Sequence, residues 1–129
     1  GIPVEELEAM LGKLDIFVGT AQRPQAPGQL KRHYATQTLL EIVEEGMEAI
    51  RPGENIGLLS LTSPTNPRIY AAVEVLSVKG DLQEAAANLF RALRRLDSLS
   101  LDRIIARPVP QVGLGMAIMD RLRRCAAEN

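Results

Sequence analysis

The chain has 129 residues and a formal net charge of −1; 46% of its residues are hydrophobic, but only 3% are aromatic. This length fits one domain, or one domain with an arm. The balanced charge argues against a general nucleic-acid binder, because that affinity depends on neutralising phosphates. The single cysteine, Cys125, excludes an internal disulfide and a cysteine-based metal site, and we interpret it as a small core residue. The sequence has neither an apolar run of membrane-spanning length nor an amino-terminal signal, so we expect a soluble, cytoplasmic protein.

The amino-terminal quarter of the chain is predicted to be a linker region. Residues 3–12 have the pattern of a short helix, with acidic residues near its amino end and a glycine after it. Residues 19–34 combine prolines and glycines with polar side chains, which disfavours regular structure. This arm is either a plain linker or a functional arm, since long irregular loops in small domains are often functional. We therefore predict a linker region over residues 1–36 and a folded domain over residues 37–129.

Three strands are predicted in the first half of the domain. Residues 38–42 read as a strand, and we expect a short helix from there to Ile50, although residues 39–50 also fit a single helical stripe. Residues 55–61 and 72–78 are short apolar runs bounded by turn residues, which predicts two buried strands.

A helix is predicted after the third strand. Asp81 is expected to cap it, and Glu84, three residues later, completes a capping-box pattern. The buried stripe of this helix is predicted to consist of Leu82, Ala86, Leu89, Leu93 and Leu96. Three arginines, Arg91, Arg94 and Arg95, are expected to face outward, and we interpret them as a solvated surface rather than a binding site.

The last quarter of the chain predicts a strand, a tight loop and a closing helix. Residues 103–106 have strand character, and Pro108 and Pro110 should end the strand because proline cannot donate a ladder hydrogen bond. The closing helix should bury one face, formed by Leu114, Ile118, Leu122 and Cys125. Asp120 and Arg124, four residues apart, are expected on its exposed face.

The turn that opens this helix, Gly113-Leu114-Gly115, has two possible interpretations. A strand, a glycine turn and a helix could form a ligand loop that cradles a phosphate. However, Ile118 occupies the position of the third glycine of the dinucleotide fingerprint, and no acidic residue follows at the required distance. A plain tight turn is therefore the favoured interpretation.

The alternation of strands and helices predicts an α/β fold. We expect a small three-layer, Rossmann-like domain with a mostly parallel sheet of four or five strands, preceded by the short helix and the extended linker arm. A fold does not define a function. The one histidine and the one cysteine lie far apart in sequence, and no carboxylates or histidines have metal-ligand spacing. The residues alone predict no catalytic site and no metal site.

Two stretches of the chain resemble a known family. Residues 26–35, APGQLKRHYA, are similar to the (S/A)PGM-x-x-x-HYAP linker motif of the long threonylcarbamoyl-AMP synthases of the Sua/YrdC family. Residues 80–97 and 102–124 resemble the two conserved segments of that family's carboxy-terminal domain. The shared residues include Gly80-Asp81-Leu82, Leu96-Asp97 and Gly113-Leu114-Gly115. Two positions depart from the linker motif: Gln29 replaces the usual Met, and Thr36 the usual Pro.

The resemblance implies a function for the longer protein of which this chain would be a part. The family's whole enzyme makes threonylcarbamoyl-AMP from threonine, bicarbonate and ATP, with Mg, and releases pyrophosphate; the product serves a tRNA modification. Its chemistry belongs to an amino-terminal YrdC-like domain that has no counterpart here. The resemblance therefore implies that this chain is the linker plus the carboxy-terminal domain, without a cofactor of its own, and that its partner is the catalytic domain of the same protein.

The resemblance also implies a role for four residues of the linker. In the family the linker helps to close the active site of the catalytic domain, and the corresponding positions here are Pro27, Gly28, His33 and Tyr34. Alternatively, His33 and Tyr34 anchor the arm onto its own domain. Two further function classes remain open for the chain: a stand-alone nucleotide- or small-ligand-binding domain that uses its strand ends, and a bare interaction module.

Overall fold

A computed structural model describes residues 36–127 of the chain. They form β1 (Leu40–Ile42), β2 (Ile56–Ser60), β3 (Ala72–Val75), α1 (Leu82–Asp97), β4 (Arg103–Ala106) and α2 (Leu114–Ala127), with a 3₁₀ turn at Pro67–Ile69. The four strands are all parallel and lie in the order β1-β4-β2-β3. The predicted α/β class with a parallel sheet is therefore confirmed. The predicted short helix over residues 3–12 and the arm over residues 19–34 lie outside the described residues.

Both helices pack on one face of the sheet. The strand residues that point to this face alternate with those that point away, and α1 and α2 contact each other above them. The fully buried large side chains of this core are Leu40, Leu59, Leu76, Leu89, Leu96, Ile104, Ile118 and Leu122. Cys125 is buried in the same core, as the sequence predicts. The apolar stripes predicted for the two helices are thus the surfaces that cover the sheet.

The opposite face of the sheet is covered by the chain between β1 and β2. Val43 and Ile50 pack there against Leu58, Ile105 and other side chains of a second, smaller cluster. The short helix expected up to Ile50 is wrong: this stretch contains turns but no helix. Two features are found where the helix was expected. Gly46 has a left-handed backbone with a φ of +84°. The side chains of Arg103 and Arg107 donate hydrogen bonds to carbonyl groups of the loop.

The start of α1 confirms the predicted cap but changes the predicted capping box. The Asp81 carboxylate accepts a hydrogen bond from the Gln83 N–H at 3.0 Å, as expected for an N-cap. Glu84 does not bond back to the cap. Instead the Asp81 N–H donates to the Ser77 hydroxyl at 2.9 Å, and that hydroxyl donates to the Glu84 carboxylate. Ser77, from the preceding loop, therefore links Asp81 and Glu84 through its hydroxyl group.

The outer faces of the helices are polar, as predicted. Arg91, Arg94 and Arg95 are exposed, with the Arg94 guanidinium 5.2 Å from the centre of the Phe90 ring. On α2, Arg124 and Asp120 form the expected ion pair at 3.1 Å. The interpretation of the arginine face of α1 as a solvated surface agrees with this exposure.

The turn before α2 needs both of its glycines, for different reasons. Gly113 has a φ of +53°, in the left-handed region that favours glycine, and has open space around it. Gly115 lies inside α2 against the backbone, where a Cβ atom would be 1.8 Å from the Pro110 carbonyl oxygen. Gly115 therefore permits close packing of the proline loop on the helix.

These environments predict different costs for alanine at the two glycines. Gly113→Ala should lower the free energy of unfolding by about 1 kcal/mol, the strain of a left-handed alanine. Gly115→Ala should cost more, about 2 to 3 kcal/mol, because the backbone must move to remove an overlap. Urea unfolding of the two variants and the parent chain measures both values. Equal costs, or a larger cost at Gly113, would contradict the close packing inferred at Gly115.

Candidate functional site

A polar cleft of about 270 Å³ opens at the carboxyl ends of β1, β2 and β4. One wall follows β1 and contains Glu44 and Glu45. The other wall is the loop that leaves β2, from Ser60 to Pro64, and the end of β4 supplies Arg107 and Pro108. The carboxyl ends of parallel strands meet at one edge of a sheet, so residues distant in sequence converge here. This cleft is a candidate site for a small ligand in the described part of the chain.

The loop that carries Glu44 and Glu45 is held in place by Arg107. The two terminal nitrogens of Arg107 donate to the two carboxylate oxygens of Glu48 at 3.1 and 2.7 Å, a bidentate pair. The same guanidinium donates to the Val43 carbonyl at 3.1 Å and to the Tyr70 hydroxyl at 2.8 Å. Tyr70 in turn donates to Glu48. Three side chains and one carbonyl thus fix the loop to the sheet.

This network is shielded from water. Only 11% of the Arg107 side chain and 7% of the Glu48 side chain are exposed. The hydrogen bonds from Arg107 lower the pKa of Glu48 from 4.5 to about 2. Burial, together with the bond to Glu48, raises the pKa of Tyr70 to about 12. Glu48 is therefore ionised and Tyr70 protonated over the whole neutral range.

A second arginine on the same face of β4 secures the rest of the loop. Arg103 donates to Glu54 at 3.0 Å and to Glu41 of β1 at 2.7 Å. It also donates to the carbonyl of Ala49. Because side chains two or four residues apart on a strand share a face, Arg103 and Arg107 act on the same side of the sheet. Together they attach the segment between β1 and β2 at both of its ends.

The two walls of the cleft also contact each other directly. The Thr65 hydroxyl, just beyond the β2 loop, donates to the Glu45 carboxylate at 2.8 Å. Inside the loop, the buried Ser60 hydroxyl donates to the Thr62 carbonyl at 2.6 Å. The Ser60 oxygen keeps its lone pairs as acceptors. The cleft is therefore rich in acceptor groups, while its one guanidinium is already paired with Glu48.

The possible ligand loop at Gly113 and Gly115 has the geometry of a tight turn. The Gly115 N–H donates to the Val112 carbonyl at 2.9 Å, and the Met116 N–H to the Gly113 carbonyl at 3.1 Å. These are two of the N–H groups that a phosphate would need at a helix start. The Pro110 carbonyl oxygen, an acceptor, lies against Gly115. These contacts favour the plain turn over the phosphate cradle.

The predicted linker residues and the observed cleft are different features of the chain. Pro27, Gly28, His33 and Tyr34 lie outside the described residues. Sequence reasoning did not find the cleft, because its lining comes from three separate segments of the chain, residues 44–45, 60–64 and 107–108. A usable signal was the run of hydroxyl and proline residues over 62–67 directly after a buried strand.

Other types of site are not found within residues 36–127. That range contains no group of three or more His, Cys, Asp or Glu side chains placed to bind a metal ion. Neither described helix has the length and apolar character needed to cross a bilayer.

The fold and the cleft define a small, all-parallel α/β domain with a polar opening at its strand ends. A family model described as "Threonylcarbamoyl-AMP synthase, C-terminal domain" matches residues 2–127. The chain belongs to this family, which confirms the resemblance carried by the linker and helix motifs. The match extends through the linker region and is not confined to the folded domain.

Two curated relatives are named threonylcarbamoyl-AMP synthase. The protein from Pyrococcus abyssi (strain GE5 / Orsay) is 32% identical over 142 residues, and that from Bacillus subtilis (strain 168) is 34% identical over 139 residues. Each alignment covers 98% of this chain but only 40% of the relative. The chain therefore spans about two fifths of the length of the curated relatives that it matches.

A solved structure supports the same fold. The crystal structure of P. abyssi Sua5 complexed with L-threonine has a TM-score of 0.59 and 28% sequence identity to this chain. The similarity covers 99% of this chain and 41% of that chain. In sequence and in structure, the chain corresponds to less than half of a longer protein.

The Arg107–Glu48 pair predicts a specific loss of stability in acid. Glu48 has a pKa of 4.5 in the unfolded chain and about 2 in the folded one, so the folded state binds fewer protons between these values. Its contribution is present above pH 4.5 and is lost as the pH falls towards 2. The free energy of unfolding should drop over this window by on the order of 3 kcal/mol from this group. Urea unfolding at a series of pH values measures the slope.

The matched variant for this measurement is Glu48→Gln, which keeps the shape of the side chain but cannot titrate. Its stability should be lower than the parent's at pH 6 to 8, and the difference should shrink as the pH falls towards 2. Parallel curves for the two proteins between pH 5 and pH 2 would show that the Glu48 pKa is not lowered.

Proposed function

We propose that this chain is the linker and carboxy-terminal part of an enzyme that makes threonylcarbamoyl-AMP from threonine, bicarbonate and ATP. The observation that carries this proposal is the match over residues 2–127 to the carboxy-terminal domain of threonylcarbamoyl-AMP synthases, combined with coverage of only 40% of the relatives. The uncovered part of the relatives would supply the catalytic domain. On this proposal the complete protein is an ATP-binding nucleotidyltransferase that uses Mg, acts in the cytoplasm and serves tRNA modification.

The proposed role of this chain is to support closure of the active site rather than to perform the chemistry. The linker would lie against the catalytic domain, with Pro27 and Gly28 forming a turn and His33 and Tyr34 supplying polar tips. Inclusion of these residues in the family match supports the assignment. The folded domain would then act as the anchor of the linker.

The described structure supports an anchoring role at the point where the linker joins the domain. Asp97, at the end of α1, accepts hydrogen bonds from the backbone N–H groups of Thr38 at 2.8 Å and Gln37 at 3.2 Å. Thr36 adds a bond from its hydroxyl to the Thr38 carbonyl. The chain is therefore fixed to the domain immediately after the linker, so movement of the linker would start from a defined point. Asp97 also belongs to the motif that carries the family resemblance.

A second candidate function is a ligand-binding domain that does not depend on the catalytic part. The polar cleft at the carboxyl ends of the strands favours it, because this is where open α/β sheets bind ligands. The two functions are compatible, since the cleft and the root of the linker lie at opposite ends of β1.

The first expectation concerns the division of labour between the domains. The chain alone should release no pyrophosphate from ATP, threonine and bicarbonate. A chimaera in which the chain replaces the matched segment of the Bacillus subtilis relative should release it at a measurable rate, whereas that relative without the segment should be much slower. A coupled pyrophosphate assay distinguishes the three proteins. Turnover by the isolated chain would contradict the proposed supporting role.

The second expectation concerns the root of the linker. In the chimaera, Asp97→Ala should lower pyrophosphate release by about tenfold to a hundredfold, because a misplacement of about 1 Å caused by a change far from the chemistry can cost about a hundredfold. Asp120→Ala, which removes an exposed carboxylate on α2, is the matched control and should leave the rate unchanged. Thermal unfolding of the isolated variants identifies any loss of folding. A folded Asp97→Ala protein with parental activity would exclude the anchoring role.

The linker residues themselves are tested in the same chimaera. His33→Ala and Tyr34→Ala should reduce activity without changing the melting temperature of the isolated chain. A lowered melting temperature with normal activity would instead indicate that these side chains anchor the arm onto its own domain.

A further inference from the structure

The polar cleft lies at a topological switch point of the sheet. β2 and β4 are neighbours at its centre, but the chain leaves them in opposite directions. From β2 it passes to β3 at one edge, and from β4 it passes into α2, which packs on β1 at the other edge. The two departing segments separate at the carboxyl ends of the strands and leave a crevice between them. In open parallel sheets this crevice is the usual place of ligand binding.

The lining of the cleft divides into a hydrogen-bonding part and an apolar part. Glu44, Glu45 and the hydroxyl groups of Ser60, Thr62 and Ser63 supply the hydrogen-bonding part, which is dominated by acceptors. Three residues without polar side chains, Leu61, Pro64 and Pro108, supply the apolar part. A ligand that fits this lining carries hydroxyl donors at one end and a flat or apolar group at the other.

The charge of the cleft excludes a phosphate as the group that is recognised. Arg107 is its one cation among the described residues, and both terminal nitrogens already bind Glu48, Tyr70 and the Val43 carbonyl. The carboxylates of Glu44 and Glu45 are left to determine the local potential, and a phosphate beside them would be repelled. A ribose diol has the opposite chemistry, since its hydroxyl groups donate to carboxylates, as they do in dinucleotide-binding folds.

We propose that this cleft binds an unphosphorylated nucleoside. The ribose hydroxyl groups would donate to Glu44 and Glu45, and the base would lie against Leu61, Pro64 and Pro108. Glu45 already accepts one bond, from Thr65, but a carboxylate has about four acceptor positions. The Arg107 network gives the site its rigidity, because it holds the loop with both carboxylates in position before a ligand arrives. This binding site is separate from the proposed catalytic function and does not depend on it.

The experiment uses the 129-residue chain alone, so that no binding can come from a catalytic domain. Adenosine is the probe, with 2′-deoxyadenosine and ATP as comparisons, and binding is followed by ¹⁵N chemical-shift changes. Adenosine should shift the amides of residues 44–45 and 60–63 and leave those of residues 113–116 unchanged. The affinity should fall about tenfold for 2′-deoxyadenosine, which lacks one donor. ATP should bind more weakly than adenosine.

Glu45→Gln and Glu44→Gln are the test variants, and Glu74→Gln is the matched control. Glu74 lies on β3 and pairs with Arg95 outside the cleft, so its variant should bind adenosine like the parent. Each cleft variant should bind adenosine several-fold more weakly while its ¹⁵N spectrum shows an unchanged fold. Three results would overturn the proposal: no adenosine-dependent shifts at millimolar concentration, equal affinity in the cleft variants, or tighter binding of ATP than of adenosine.

Discussion

The bidentate pair between Arg107 and Glu48 is the interaction on which the remainder of the cleft depends. Within residues 36–127 both helices pack on one face of the sheet, and the other face is covered by a segment without regular structure. Such a segment cannot satisfy its own carbonyl groups as a helix does, so it needs donors from elsewhere. Arg103, at the start of β4, and Arg107, directly after its end, provide these donors. The apolar side chains of Val43 and Ile50 are thereby held over the sheet.

This arrangement provides position more than stability. Two charges that leave water lose hydration energy, and their mutual attraction often does no more than offset that loss. What the pair provides is a defined geometry, because the two parallel hydrogen bonds of a guanidinium to a carboxylate fix both their distance and their relative orientation. The Tyr70 hydroxyl completes the set by bonding to both partners of the pair. The loop next to the cleft is thus held by specific side-chain hydrogen bonds, although it contains no helix or strand.

The sequence predictions are correct where the deciding interactions are local and wrong where they join residues distant in sequence. Local patterns predicted β2, β3, β4 and both helices, because a period of two or of 3.6 residues is visible in a short window. The helix expected before Ile50 failed because its decisive contacts are distant: Glu48 and Arg107 are 59 residues apart in sequence. The capping box failed for a related reason, since Ser77 from another element takes the place of the direct bond. The close contact of Gly115 with Pro110 and the cleft itself likewise depend on how distant segments meet.

The strand β1 joins the two regions of the domain to which a role is assigned. Two residues before β1 begins, the backbone N–H of Thr38 donates a hydrogen bond to the Asp97 carboxylate. Beyond its carboxyl end, Arg107 holds the Val43 carbonyl, next to the acidic wall of the cleft. Only four residues, 39–42, separate these attachments, and three of them, Leu40–Ile42, are paired with β4. β1 is therefore fixed before its start, along its length and after its end, and each of these contacts is made with a different part of the domain. Because the strand is held in this way, the backbone at Thr38 and the acidic wall of the cleft have a fixed separation and orientation.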